Sequence, residues 1–304
     1  MRRPDERTAV VVVSYNTRDL LLECLASVAR LGLETVVVDN ASGDGSAAAA
    51  ATAFPAARVL ANAANVGFGA ACNRGVLATG APLLLFLNPD ARLNVDAVAA
   101  LHEALRADTH CAAAGCRLID GEGREAVTAR NFLTPVNEPF EHLGLSSLFP
   151  ARALRRTHRL ALDAGLVDRT ADWLSGACLL VRRAAFEEVG GFDESFFLYG
   201  EDEDLCRRWR AAGWSLAYTA AGTAVHRGGA SSRRDRERSL AFFYAGQARL
   251  LERSHGRAGV FVYRLLMRAT CALKRGLVWA VRAADRESRR RDLAARRAAL
   301  RLSS

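Results

Sequence analysis

The stretch AVVVVSY (Ala9–Tyr15) is followed by TRDLLLECLASVARL (Thr17–Leu31), and together the two decide the fold class. The first is a continuous apolar run rich in β-branched residues, which is typical of a strand buried on both faces of a sheet. The second repeats leucine and valine at steps of three and four, with Asp19 and Glu23 near its start, which predicts an amphipathic helix. A buried strand that leads into such a helix is the repeating unit of a parallel α/β sheet.

The same alternation continues along the chain. Further strands are predicted at ETVVVDN (34–40), ARVLAN (57–62), PLLLFLN (82–88), CAAAGCRLID (111–120), CLLV (178–181) and SLAYT (215–219). Helices are predicted at GSAAAAATAF (45–54), GFGAACNRGVLAT (67–79), RRAAFEEVG (182–190) and EDEDLCRRWRAAG (201–213). The stretch NFLTPVNEPFEHLGLSSLFPARALRRTHRLAL (131–162) is expected to form a variable excursion, and residues 125–170 as a whole show no regular pattern. The sequence therefore predicts an α/β fold with a mostly parallel, doubly wound sheet.

Polar residues follow each of the first four predicted strands. In chain order they are Ser14, Tyr15 and Asn16, then Asp39, Asn40 and Ser42, then Asn62 and Asn65, then Asn88 and Asp90. Each is also an ordinary turn or cap residue when taken alone. Parallel α/β sheets bind ligands outside the carboxyl ends of their strands, so four such ends in succession favour a ligand site on one rim.

The acidic run GEDED (Gly200–Asp204) begins a predicted helix, where one or two carboxylates are favoured by the helix dipole. Glu203 and Asp204 each have an arginine four residues later, whereas Glu201 and Asp202 have none. A carboxylate held beside another anion has a raised proton affinity and suits a general base. The pair Glu201 and Asp202 is therefore a candidate catalytic centre.

Two further residues are candidate metal ligands. Asp90 follows a buried strand without a local basic partner, which suits a hard divalent cation that also binds substrate phosphates. His226 follows the last predicted strand among small residues, and it is read either as a ligand or as a structural histidine.

The stretch NVGFGAACNRG (Asn65–Gly75) lacks the third glycine of a dinucleotide-binding loop. Its glycines are expected to let backbone approach a ligand or another strand.

Charge separates the chain into two parts. Residues 253–304 contain 14 Lys/Arg and 3 Asp/Glu, while residues 1–252 carry 28 basic and 30 acidic groups. We expect a folded, nearly neutral body over 1–252, which is large enough for a catalytic domain. A basic helical tail at 253–304 follows it.

The seven cysteines form no C-x-x-C pair, which favours a reducing cytoplasm, and neither a secretory signal nor a membrane span is expected.

The segment GVFVYRLLMRATCALKRGLVWAVRA (Gly259–Ala283) is predicted to be helical. One stripe of it carries the basic residues Arg264, Arg268, Arg275 and Arg282, and most of the rest is apolar. One interpretation is a helix packed on the catalytic body with a solvated basic edge. The other is an amphipathic helix on an anionic membrane surface, at the inner face of the cytoplasmic membrane.

Six stretches, taken in order, resemble the family 2 glycosyltransferases of GT-A fold, in particular rhamnosyltransferase-like bacterial enzymes of cell-wall and surface polysaccharide assembly. They are VVVSYN, VVVDNASGDGS, NVGFGAACNRG, LLFLNPDARL, the segment from SGACLLV to RRWRAAGW, and HRGGAS, within about residues 8–232. The resemblance implies a nucleotide-diphospho-sugar donor, either a dTDP- or a UDP-sugar with dTDP-rhamnose preferred. It also implies a glycan or lipid-linked acceptor, Mg²⁺ or Mn²⁺, and inversion at the anomeric carbon.

The resemblance also implies roles for individual residues. Nucleotide-sugar binding is expected at Ser14, Tyr15, Asn16, Asp39, Asn65, Asn88 and Asp90. Trp173, Ser175 and Gly176 are expected on the acceptor side, Asp202 is expected to be the base, and the adjacent Glu201 is the second catalytic candidate. The resemblance also implies a catalytic domain over 1–252, with a nucleotide-binding half at about 8–120 and an acceptor and base half at about 121–252. The stretch NPD stands where many relatives carry D-x-D, so metal binding is expected to depend on Asp90 and His226.

Other classes of function were weighed against this one. A nucleotidyltransferase would need several basic residues in the loop after the first strand, and SYNTRDLL offers only Arg18. A catalytically degenerate GT-A protein that binds nucleotide-sugar or acts as a scaffold stays open as the alternative. Nucleic-acid binding is not expected, because the basic residues lie in the tail and form no recognition motif.

Overall fold

The computed structural model describes residues 7–126, 128–143, 169–227, 236–278 and 290–298. The strands are β1 (Thr8–Ser14), β2 (Glu34–Asp39), β3 (Arg58–Ala61), β4 (Leu83–Leu87), β5 (Ala91–Arg92), β6 (Cys111–Ile119), β7 (Glu125–Ala126), β8 (Ala129–Arg130), β9 (Arg169–Thr170), β10 (Trp173–Leu174), β11 (Cys178–Arg182) and β12 (Ser215–His226). The helices are α1 (Arg18–Ala29), α2 (Ser46–Ala53), α3 (Phe68–Val76), α4 (Val95–Arg106), α5 (Asn137–His142), α6 (Arg183–Glu188), α7 (Glu201–Ala211), α8 (Arg236–Val278) and α9 (290–298).

The main sheet has the strand order β3-β2-β1-β4-β11-β6-β12-β5, with β7 beside β6 and β9 beside β12. Strands β1 to β4 pair in parallel, and so do β6 and β12. Strand β11 runs antiparallel to both of its neighbours, β4 and β6. The mostly parallel α/β sheet predicted from the sequence is confirmed, and the antiparallel insertion of β11 is the feature that the strand patterns did not predict.

The core of the sheet is built from continuous apolar runs. Every residue of β1 and β4 is buried, as their β-branched and leucine-rich sequences require. Helix α1 covers the sheet with one face, on which Leu21, Leu25 and Val28 are at most 2 % exposed. Fully burying one such side chain stabilises the fold by about 1.5–3 kcal/mol, so this layer holds the strand ends in fixed positions.

Two glycines of the stretch NVGFGAACNRG allow close packing, as expected. Gly67 has φ 91°, and a Cβ atom there would lie 2.5 Å from the carbonyl oxygen of Phe197. Gly75 lies against β1, where a Cβ atom would be 2.5 Å from Cγ1 of Val11. The backbone N–H of Phe68 donates to the same Phe197 carbonyl at 2.9 Å. Because Gly67 has no side chain, the segment before α7 can lie against the start of α3.

Strand β12 is longer than predicted. The pattern SLAYT predicted an end at Thr219, but the strand continues to His226 across an irregularity between Thr219 and Thr223. The small residues there fit a tight contact, since a Cβ atom at Gly222 would lie 2.7 Å from Cα of Ala97 on α4. The extension carries His226 to the edge of the sheet. Helices α4 and α5 had no counterpart among the predicted elements.

The described residues divide into two compact units. Unit 1 comprises those within Met1–Arg130, Leu162–Phe197 and Glu201–Ser231, and unit 2 those within Asn131–Ala161, Leu198–Gly200 and Ser232–Ser304. This division groups residues 131–143 and 236–252 with the basic segment, whereas the sequence analysis placed them in the catalytic domain. The domain boundary predicted at residue 252 stays a prediction, because compactness alone does not define a catalytic unit.

Unit 2 is built around α8, whose backbone is non-helical at Gly256 (φ 64°, ψ −174°). Its packed face contains Tyr244, Leu251, Tyr263 and Met267, each at most 1 % exposed. The helix predicted over 259–283 is present to Val278, and residues 279–283, including Trp279 and Arg282, lie outside the described residues.

Candidate active site

The ends of the first three strands lie side by side. Ser14 of β1 pairs with Asp39 of β2, and Asp39 pairs with Ala61 of β3. The backbone N–H of Asn40 donates to the carbonyl of Ser14, and that of Asn62 donates to the carbonyl of Asp39, each at 2.8 Å. The polar residues that follow these strands therefore meet on one rim, at the place where parallel α/β sheets bind ligands.

Asp39 is buried at this rim with one carboxylate oxygen unused. It is 3 % exposed, and its Oδ2 accepts the backbone N–H of Ser42 at 2.9 Å. Its Oδ1 is buried and has no hydrogen-bond partner within the described residues. A buried oxygen without a partner is costly unless something binds it, which makes Asp39 the strongest ligand-binding candidate on the rim.

Asn16 shapes the loop after β1. It has φ 54°, in the left-handed region where asparagine is tolerated. Its backbone N–H donates to Oγ of Ser42 at 2.9 Å, and its Oδ1 accepts the N–H of Gly43 at 2.8 Å. Ser14 is buried and bonds Thr17 through the two hydroxyls, while Tyr15 is 40 % exposed. Ser14 and Asn16 thus fix the loop, and Tyr15 is left accessible beside it.

Asn40 joins the β2 end to the glycine-rich turn, a role that the sequence analysis did not assign. Its Nδ2 donates to the carbonyl of Gly67 at 2.9 Å, and its Oδ1 accepts Nδ2 of Asn62 at 2.7 Å. Asn65, predicted to bind nucleotide, accepts the N–H of Gly67 through its Oδ1 at 3.0 Å. The only signal for Asn40 was its position directly after a strand.

Asn88, Asp90 and His226 come together. Nε2 of His226 lies 3.1 Å from Oδ1 of Asp90 and 3.3 Å from Nδ2 of Asn88. Strand β5 pairs with the end of β12, and Ala91 lies opposite His226. Within the parts of the chain that the structure describes, no group of three or more His, Cys, Asp or Glu side chains is arranged to hold a metal ion. Asp90 and His226 therefore offer one oxygen and one nitrogen donor.

The end of β4 also adjoins the start of β11. The backbone N–H of Asn88 donates to the carbonyl of Ala177 at 2.9 Å, and Leu87 pairs with Cys178. Because β11 is antiparallel, its first residues share a rim with the last residues of β1, β2 and β4. The predicted acceptor-side residues directly precede Ala177 in the chain.

Helix α7 uses its four carboxylates in two ways. Glu203 and Asp204 pair with Arg207 and Arg208 at 2.8 Å and 2.7 Å, so the pairing predicted from their spacing is confirmed. Arg208 also donates to the carbonyls of Val189 and Gly191. These two carboxylates stabilise the helix and its neighbouring loop, which leaves Glu201 and Asp202 for another role.

Asp202 is held by two backbone amides, one just before β11 and one in α7 itself. Its Oδ2 accepts the N–H of Gly176 at 3.1 Å, and its Oδ1 accepts that of Glu203 at 2.9 Å. Burial raises the pKa of Asp202, although these hydrogen bonds and one from Trp173 lower it. The Trp173 ring also packs under Arg130, with 5.6 Å from Cζ to the ring centroid. The structure thus brings Trp173 and Gly176 to Asp202.

Ser175 completes the turn between β10 and β11. Its backbone N–H donates to the carbonyl of Thr128 at 2.9 Å, and its hydroxyl accepts the N–H of Ala177 at 3.3 Å. A Cβ atom at Gly176 would lie 3.7 Å from Cβ of Asp202. The turn therefore packs directly on the start of α7, and this packing fixes the position of the Asp202 carboxylate.

Glu201 is more deeply buried than Asp202. It is 5 % exposed, and its Oε2 has no hydrogen-bond partner within the described residues. Burial, and then the Asp202 charge, raises the pKa of Glu201 to about 8. Burial raises the pKa of the Cys72 thiol on α3, and the charge of Glu201 raises it further. Glu201 therefore binds a proton readily. In its protonated form it places no second negative charge beside Asp202.

This fold defines a class of protein: an α/β enzyme of GT-A fold, here with polar residues gathered at the ends of its parallel strands. The model of "Glycosyl transferase family 2" matches residues 9–190, and that of "N-terminal domain of galactosyltransferase" matches residues 160–226. The chain belongs to glycosyl transferase family 2. It is accordingly a glycosyltransferase, and its relatives include rhamnosyltransferases.

Three similar proteins illustrate the relationship. The chain is 31 % identical over 299 residues to "N-acetylglucosaminyl-diphospho-decaprenol L-rhamnosyltransferase" of Mycobacterium tuberculosis, covering 93 % of this chain and 96 % of the relative. It is 46 % identical over 59 residues to "Rhamnosyltransferase WbbL" of Escherichia coli, covering 19 % and 22 %. The mannosyltransferase PcManGT of Pyrobaculum calidifontis, solved with GDP-Man and Mn²⁺, shares the fold with TM-score 0.59 at 16 % identity, covering 98 % and 85 %.

The raised pKa of Glu201 predicts a pH-dependent stability. The folded protein binds this proton more tightly than the unfolded chain does. The contribution of the proton to the free energy of unfolding is therefore fully present below the ordinary glutamate pKa, and it is lost as the pH rises through about 8. Glu201→Gln should therefore raise the melting temperature at pH 9, by on the order of several degrees, and change it less at pH 5. Thermal unfolding at both pH values tests this. Glu103→Gln, at an exposed carboxylate of α4, is the control, and an equal effect of Glu201→Gln at both pH values would contradict the interpretation.

Proposed function

We propose that this glycosyltransferase moves a sugar, with inversion, from a nucleotide-diphospho-sugar to a hydroxyl group of a lipid-linked glycan. The observation that carries the proposal is Asp202, a half-buried carboxylate of raised pKa held at the start of β11 by the Gly176 amide. The chain is similar to a relative named "N-acetylglucosaminyl-diphospho-decaprenol L-rhamnosyltransferase". This similarity supports dTDP-rhamnose as the first donor to test, followed by UDP-sugars.

Asp202 acts as the general base in this scheme. Its carboxylate takes the proton of the acceptor hydroxyl while the acceptor oxygen forms a bond to the anomeric carbon of the donor. The bond between that carbon and the diphosphate oxygen breaks on the opposite face, and the nucleoside diphosphate leaves with the electron pair. The raised pKa of Asp202 makes it a better proton acceptor than an ordinary aspartate. A single displacement of this kind inverts the configuration and needs no covalent nucleophile.

The rim at β1 and β2 is proposed to bind the nucleotide. The unused Oδ1 of Asp39 suits an N–H of a pyrimidine base or a ribose hydroxyl, because each can donate a hydrogen bond to it. Tyr15, being exposed beside the loop that Asn16 fixes, offers a ring to the base. Asn65 is proposed to lie near the nucleotide through the turn that it forms with Gly67.

Asp90 and His226 fit a divalent cation shared with the donor diphosphate. A carboxylate oxygen and an imidazole nitrogen 3.1 Å apart are donors that Mn²⁺ accepts, and Mg²⁺ also favours the carboxylate. The Asp90 carboxylate and the His226 imidazole would hold the cation from the protein side. Bound there, the cation would supply charge neutralisation to the departing diphosphate. Asn88, next to both residues, is proposed to orient His226.

Asp202→Asn tests the base. The amide keeps the shape of the side chain but cannot take the proton, so kcat should fall by about 10²–10⁴-fold while donor affinity changes little. Steady-state transfer assays and calorimetric titration with dTDP measure the two quantities. Asp96→Asn, at an exposed carboxylate of α4, is the matched control. Near-normal turnover in Asp202→Asn would exclude this role, and a wild-type protein that binds donor without transfer would favour the degenerate alternative.

Asp90→Ala and His226→Ala test the metal site. Both should abolish the gain in dTDP or UDP affinity that Mn²⁺ provides, and both should leave binding of the nucleoside alone unchanged, since only the diphosphate contacts the cation. Calorimetric titration with and without Mn²⁺ measures this, and Asp96→Ala is the control. If EDTA leaves the wild-type donor affinity and activity unchanged, the metal role is wrong.

The exposed face of α8 is proposed to lie on an anionic membrane surface. Phe261, Leu265 and Leu273 are 68 %, 55 % and 57 % exposed, and Arg268 and Arg275 are exposed alongside them. Apolar side chains flanked by arginines are the pattern of helices that lie in the membrane interface. A lipid-linked acceptor would meet the enzyme there, at the cytoplasmic face. Within the described residues, no helix is both long and apolar enough to cross a membrane.

Phe261→Ser combined with Leu265→Ser tests this contact in the full chain. Co-sedimentation with vesicles that contain about one third anionic lipid should fall by about tenfold, because two inserted side chains are lost. Leu77→Ser is the control, since Leu77 is 87 % exposed on α3's C-terminal side. Binding of the wild-type protein should also weaken with salt. Equal sedimentation of all three proteins, or no preference for anionic lipid, would contradict the proposal.

A further inference from the structure

Unit 2 contains a cleft of about 530 Å³ that the proposed function does not use. One wall is apolar and aromatic, formed by Tyr199, Leu240 and Phe243. The others carry polar side chains, namely Glu138, Arg236, Ser239 and Arg296. A concave site with rings on one side and a few converging polar groups on the other is the usual form of a small-molecule site.

The aromatic wall is held in an unusual conformation. Tyr199 has φ 68°, which a residue with a bulky side chain rarely adopts. Its ring packs edge-to-face on that of Phe243, with centroids 5.9 Å apart. Its carbonyl lies so close to α8 that a Cβ atom at Gly246 would come within 2.2 Å of the oxygen. Backbone strain that the surroundings maintain is concentrated at functional sites, so the placement of this ring calls for an explanation.

The polar walls are fixed by a network and are nearly balanced in charge. Arg236 and Arg296 both pair with Asp292. Nη1 of Arg296 also donates to the Tyr244 hydroxyl at 3.1 Å. Asp292 and the cleft's own Glu138 offset the two guanidinium charges. A strongly anionic ligand such as a diphosphate would meet little net positive charge here, whereas a neutral polyhydroxyl ligand needs donors and acceptors side by side.

We propose that this cleft binds a sugar residue of the acceptor, an inference that rests on the proposed glycosyl transfer. The rings of Tyr199 and Phe243 suit the apolar C–H face of a pyranose, and Glu138, Ser239 and the arginines suit its hydroxyl groups. In the chain, Tyr199 precedes Asp202 by three residues. The cleft would thus contribute to the choice of acceptor glycan.

Phe243→Ala and Glu138→Gln in the full chain test the inference. Each should raise KM for an N-acetylglucosaminyl diphosphate bearing a short prenyl chain by about tenfold, with donor KM and acceptor-independent donor hydrolysis within about twofold of wild type. Phe243→Tyr, which keeps the ring, should retain nearly normal acceptor KM. Phe242→Ala is the matched control, since Phe242 is the adjacent residue and lies against Arg238 rather than in the cleft.

The outcomes separate this inference from the proposed function. If the wild-type protein transfers sugar and the Phe243→Ala and Glu138→Gln proteins keep normal acceptor KM, the cleft does not bind the acceptor sugar, although the transfer reaction stands. If prenyl diphosphate without a sugar competes as well as the glycosylated acceptor, and its inhibition constant changes in these variants, the cleft binds diphosphate and the inference is overturned. If the wild-type protein transfers nothing to any acceptor, the proposed function itself fails.

Discussion

The antiparallel strand β11, inserted between β4 and β6, is the constraint on which the rest of the site depends. The parallel strands β1, β2 and β4 all end at one rim, and only a strand of opposite direction can begin there. The hydrogen bond from the N–H of Asn88 to the carbonyl of Ala177 joins that start to the end of β4. Gly176, one residue earlier, then bonds Asp202. The residues proposed for donor binding and the proposed base thereby become neighbours within unit 1.

The start of α7 shows what the site costs in stability. Glu203 and Asp204 are buried but paired with arginines, so their charges are compensated. Glu201 is buried and the adjacent Asp202 is half-buried, no ion pair to either is found within the described residues, and burial raises the pKa of both. Such an arrangement opposes folding at neutral pH, since one of the two carboxyl groups is pushed towards its neutral form. A raised proton affinity is also what a base for a hydroxyl group requires, so the same burial that destabilises the fold supports the proposed chemistry.

Much of the unit 1 architecture was readable from local patterns. Continuous β-branched or leucine runs identified β1, β2 and β4, because a strand buried on both faces has no polar positions. The spacing of Glu203 and Asp204 to their arginines predicted the two ion pairs, because residues four apart lie on one helix face. The sequence pattern did not predict the second half of β12, because the alanines and glycine around Gly222 show no strand-like alternation. It therefore did not predict that β12 brings His226 to Asp90.

By itself, the sequence determined the α/β class, the order of its strands along the chain and the polar residues that follow them, since burial and helical periodicity act over a few residues. Only the tertiary structure decided which strand ends are neighbours and that β11 runs in the opposite direction. It also decided that Glu201 is buried against α3 while Asp202 reaches Gly176. The same holds for the cleft of unit 2, which residues from α5, α8, α9 and the Tyr199 turn form together. These facts depend on contacts between residues far apart in the chain, which no local pattern encodes.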